Sequence, residues 1–228
     1  MRPSVETYNE QQKELRQLLL SADREQEAIE LFLRNHALLH SAELLQGESL
    51  PGETYSFEDD LLDDMTEGHV RRIPQNCEHS VAWSIWHIAR IEDVTMNILV
   101  AGRSQIVQGD KWLERMKIDI PHTGNAMSEA AVAHLSATID VEALRAYRLA
   151  VGRGTREIAR QLQPKEISQK VDPQRLEQLM VEGAVVEEAR DLIDYWGKRN
   201  IAGLLLMPAT RHNLVHLNKA LRLKQKTK

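Results

Sequence analysis

The chain has 228 residues, 42% of them hydrophobic and 28% charged, and a formal net charge of -5 at pH 7. That length can bury a sizeable core without disulfides, so a single domain over 1–228 is expected. The negative balance gives no general attraction to a nucleic-acid backbone or an anionic membrane, and the one cysteine, Cys77, excludes an internal disulfide and a Cys-rich zinc cluster.

Hydrophobic periodicity is helical along almost the whole chain. Ile29, Phe32, Leu33, Ala37 and Leu44 mark a long helix over 24–46, with Gly47 as its stop and a Gly/Pro/Ser loop over 47–57. The acidic run 58–64 suits the start of a short helix. Ser80 can cap a second long helix over 81–101, closed by Gly102. Residues 103–127 read as irregular, with Gly109, Pro121 and Gly124. Ser128 opens a short helix, and Asp140 caps a third long one over 141–162, before Pro164. Asp172-Pro173 starts another short helix, and Gly183 breaks the chain. Residues after Gly183 read as helical to Met207, where Pro208 separates a last helix over 208–223. The basic tail 222–228 reads as a solvated terminus.

No segment alternates with β-branched residues, so the fold class is all-α. The four long helices suggest a four-helix bundle with additional short helices and an insertion within 103–207. No apolar run approaches the roughly 18 residues of a membrane span, and the polar N-terminal segment lacks the apolar stretch of a signal peptide. A soluble, cytoplasmic protein is expected.

Nine histidines occur beside only two phenylalanines. Two pairs, His36/His40 and His212/His216, have the i,i+4 spacing that puts both rings on one helical face. Such a pair binds a divalent ion when a third ligand arrives from another helix. His87 lies mid-helix between Trp83 and Ile91, on an inward-turned face, and is the candidate third ligand. Spacing alone does not choose between the pairs, and a satisfied core histidine is the commoner fate of each.

The run Trp83-Ser84-Ile85-Trp86-His87-Ile88-Ala89-Arg90-Ile91-Glu92-Asp93, then Gln105, Trp112 and His212-Asn213-Leu214-Val215-His216-Leu217-Asn218, resembles the DinB-like superfamily in its longer members. The resemblance implies a four-helix bundle, with one histidine ligand on its second helix and an HxxxH pair on its last. His87, His212 and His216 match those positions. The wide spacing between His87 and the final pair implies extra helices between them.

Three neutral imidazoles leave a coordination position open on zinc, nickel or iron, as catalytic sites do. The resemblance implies transferases and isomerases that use small cytosolic thiols, hence a metal-dependent thiol transferase or hydrolase acting on a small-molecule substrate. A non-catalytic metal- or ligand-binding bundle is the alternative, and a helical interaction protein without metal is a third. Trp83, Trp86, Arg90, Glu92, Asp93, His36 and His40 are candidates for the pocket or for orienting the ligands. Arg90 would pair with an anionic thiol or with a local carboxylate. Cys77 lacks a third catalytic partner, and the 152–155 segment lacks the lysine of a phosphate loop. Bundles of this kind often pair, so a homodimer is expected.

Overall fold

The computed structural model describes residues 4–21, 23–46 and 55–227. The Gly47 stop and most of the expected 47–57 loop lie outside the described residues. Among the described residues there is no strand, only an isolated bridge between Lys170 and Asn200. The helices α1 (Val5–Leu18) and α2 (Glu25–Ala37) are followed by a 3-10 turn (Ala42–Leu45) and the short α3 (Phe57–Leu62) and α4 (Glu67–Arg71). Helix α5 (Val81–Asp93) runs on as a π-helical segment (Val94–Val100). Then come α6 (Trp112–Arg115), α7 (Glu129–Thr138), the long α8 (Val141–Gln161), and the short α9 (Pro164–Ile167), α10 (Pro173–Val181) and α11 (Asp191–Gly197). Helix α12 (Ile201–Leu206) passes through a π-helical segment (Met207–Arg211) into α13 (His212–Thr227).

Helices α2, α5, α8 and the α12–α13 unit pack on one another as the expected four-helix bundle, and α1 lies across α2 and α12. Apolar faces build its core in two parts. One gathers Phe32, Ile98, Leu204 and Trp196, the other Trp86, Tyr147, Leu135 and Leu214. The caps read from sequence are present. Ser80 accepts from the Trp83 amide at 2.9 Å and Asp140 from the Ala143 amide at 3.1 Å. Ser128 and Asp172 cap α7 and α10 in the same way.

Several boundaries differ from expectation. Helix α1 has no counterpart in the sequence reading. Ser4 caps it, and Tyr8, Leu15 and Leu18 form its buried face beneath a largely charged exterior. The first bundle helix does not reach 46. It stops at Ala37, because the Leu38 carbonyl accepts from the Phe57 amide at 2.8 Å and the Leu39 carbonyl accepts from Arg148 at 2.8 Å. Those bonds draw the chain out of helical register. Residues 183–207 are not one helix either, since Asn200 starts α12 afresh by capping the Gly203 amide at 3.0 Å.

Pro208 does not separate the last helix from what precedes it. The wider π turn absorbs its missing N–H, and the Thr210 hydroxyl donates to the Leu205 and Leu206 carbonyls, each at 2.9 Å. The basic tail also departs from a purely solvated terminus. Helix α13 runs to Thr227, and the Lys224 ammonium docks on the Asp60 carbonyl at 2.9 Å and on that of Asp63.

Candidate metal centre

His87 stands in the middle of α5 and is 3% exposed. Its Nδ1 lies 2.7 Å from the Thr123 carbonyl oxygen. A carbonyl only accepts, so Nδ1 carries the proton and Nε2 is left with its lone pair. His212 and His216 sit one turn apart on α13, just after the π segment, and both are half-buried. The His87 ring centroid is 5.1 Å from that of His212 and 4.8 Å from that of His216, and the latter two are 4.5 Å apart. One ligand atom from each of the three falls within 4.8 Å of the others.

Burial keeps these rings uncharged at neutral pH. Desolvation pushes the His87 imidazole down to about 4, against the help of its bond to Thr123, and pushes His216 down to about 3. Desolvation, then the neighbouring rings, hold His212 well below the usual range. The His212 Nδ1 is buried and has no hydrogen-bond partner among the described residues. Three neutral nitrogen donors so grouped fit a divalent transition ion.

Trp83 lies against the group, its ring stacked on His87 at 4.7 Å and 9°. The same ring is 6.3 Å from His216 and carries His79 at 3.8 Å. Trp86 points elsewhere and packs on Gly124. A Cβ there would lie 2.4 Å from its ring, and Gly124 has φ +85°, so glycine is required.

Arg90 and Asp93 are taken up by each other. Arg90 Nη1 donates to Asp93 Oδ2 at 2.8 Å and to the Tyr147 hydroxyl at 2.7 Å. Its Nη2 donates to Gln105 and the Pro121 carbonyl, both at 2.5 Å. Arg90 is fully buried and pairs with the local carboxylate, one of the two partners the sequence offered for it. Asp93 also accepts from Asn97 and from the Ile106 and Val107 amides, and so ties down the chain beyond the π-helical segment.

Glu92 orients neither His87, His212 nor His216 by a hydrogen bond. Its oxygens face His36 Nε2 at 2.7 Å and His40 Nε2 at 3.1 Å, with the Thr155 hydroxyl at 2.7 Å and the Asn213 amide at 2.6 Å. His36 and His40 therefore line a second group, not the first. His36, His40 and Glu92 are each fully buried. The sequence reading missed Thr123, Thr155 and Asn213. Only Asn213, beside His212, lies within the quoted motif, and Thr123 acts through its backbone, which no side-chain pattern reveals.

No curated protein matches the chain. A family model described as the DinB superfamily matches residues 59–217, more than half of it.

Proposed function

Because the chain belongs to the DinB superfamily, we propose that His87, His212 and His216 hold a divalent transition metal, and that the centre serves group transfer between a small thiol and an electrophilic substrate. The observation that carries this reading is the unequal burial of the three rings. His87 is sealed in the core, while His212 and His216 are half-buried, so one side of the group faces outward. Zinc, nickel and iron all suit imidazole donors. A bound ion of this kind supplies a Lewis-acid position that lowers the pKa of a thiol or water.

The chain's own residues do the rest. The Thr123 carbonyl fixes the tautomer and direction of the His87 ring. Trp83 excludes water from the flank of that ring and offers an apolar wall to a substrate. With Arg90 engaged, Lys219 is a candidate cation for an anionic thiol, because it is exposed and near enough to bias His87 and His216 electrostatically.

The test uses full-length protein without a histidine tag. Stoichiometric metal is expected by elemental analysis, and His212→Ala with His216→Ala should remove the ion bound there. Turnover of a small thiol with an electrophile should disappear on chelation and return with metal. Tightly held metal at this site without such turnover would favour the non-catalytic alternative.

A further inference from the structure

We propose that His36, His40 and Glu92 form a second divalent-metal site, closed to solvent and structural in role, distinct from the site on His87. Two imidazoles and one carboxylate are a ligand set that binds zinc or ferrous iron. Their ligand atoms lie within 4.8 Å of one another, and the His36 and His40 rings are 4.3 Å apart, as close as those of the outward-facing group. Ligands around a tetrahedral ion at about 2.0–2.1 Å stand about 3.3 Å apart. His36 Nε2 lies 2.7 Å from Glu92 Oε1 and His40 Nε2 lies 3.1 Å from Glu92 Oε2, so each imidazole would back away from its own carboxylate oxygen to admit an ion between them.

The charge inventory calls for a cation here. Three carboxylates are buried below 2% exposure among the described residues, namely Glu58, Glu92 and Asp93. Glu58 has Arg148 at 2.5 Å and Asp93 has Arg90 at 2.8 Å. Glu92 has no arginine or lysine among the described residues, only imidazoles, a hydroxyl and an amide. A buried carboxylate needs close polar or cationic partners, and a divalent ion held by all three groups would supply positive charge at this point.

The surroundings are shaped for this group. Arg148 holds the Leu39 carbonyl beside His40. Gly152 leaves room for the His40 ring, since a Cβ there would stand 2.8 Å from its Nδ1. The Asn213 Oδ1 is buried and has no hydrogen-bond partner among the described residues, and a half-turn of that amide would bring an oxygen ligand toward the ion.

The proposal goes beyond the thiol-transfer reading and does not depend on it. Full-length protein without a tag is produced in zinc-supplemented medium, stripped of loose metal, and its zinc counted. Two ions per chain are expected in the parent, one in the His212→Ala/His216→Ala variant and one in Glu92→Gln. The remaining ion in the double variant, exchanged for cobalt, should give an absorption spectrum of mixed nitrogen and oxygen ligation. A parent with one ion and a folded double variant with none overturn the proposal and leave the reading of the outward-facing centre standing. A parent with one ion, kept in the double variant and lost in Glu92→Gln, upholds this site and overturns the other. The double variant leaves His36, His40 and Glu92 untouched, so the decision does not depend on whether Glu92→Gln folds.

Discussion

At the scale of single residues, Asp93 shows how buried charge organises this chain. It receives Arg90, Tyr147 and Asn97 together with two backbone amides. Asp93→Ala should destabilise the protein by about 3–5 kcal/mol, because it strands the Arg90 guanidinium in the core. Urea unfolding reads that loss directly, and a loss below about 1 kcal/mol would mean water reaches Arg90. The Arg90–Asp93 pair was legible as one of two outcomes because its members are three residues apart. The Glu92 cluster was not, since its partners lie 52, 56, 63 and 121 residues away. Helical spacing picked out both histidine pairs but carried no information about which distant donor completes each.

At the scale of elements, caps and stops were readable where a local bond decides them. Ser80, Ser128, Asp140 and Asp172 each satisfy an amide two or three residues on, so the starts of α5, α7, α8 and α10 were legible. The early end of α2 and the continuity through Pro208 depend on side chains from elsewhere in the fold or on a π turn, and neither has a local signature. The loop before α7 connects element to site. Gly124 holds φ +85° against Trp86, and its neighbour Thr123 orients His87. Gly124→Ala should therefore cost on the order of 2 kcal/mol and weaken metal at the outward-facing group about 10–100-fold. Thermal unfolding and competition with a chelator measure the two effects. Lost stability with unchanged metal affinity would separate Thr123 from ligand orientation.

At the scale of the whole molecule, the imidazoles buried in neutral form couple folding to pH. In the folded metal-free chain His40 and His216 are pushed down to about 3 and His87 to about 4, while an unfolded histidine titrates near 6.5. Below that value the unfolded chain binds more protons than the folded one, so stability declines as the pH is lowered. Metal-free protein should hold its urea midpoint above about pH 7 and lose it progressively between roughly 6.5 and 4, by at most about 1.4 kcal/mol per pH unit for each such ring. A midpoint that stays flat over that window would show these rings to be solvated. No helix among the described residues is long and apolar enough to cross a membrane, and the helical bundle, with short helices on either side of its third member, follows the all-helical patterning expected from sequence. The π turn at Met207–Arg211 constrains how this chain can change length. Each residue of a helix advances its faces by about 100°, so the extra residue in that turn sets the phase of everything after it. Losing one residue there would swing His212 and His216 away from His87 while leaving α12 seated. The chain can therefore lengthen or shorten in its connections, but its count between Leu206 and His212 is fixed by rotation.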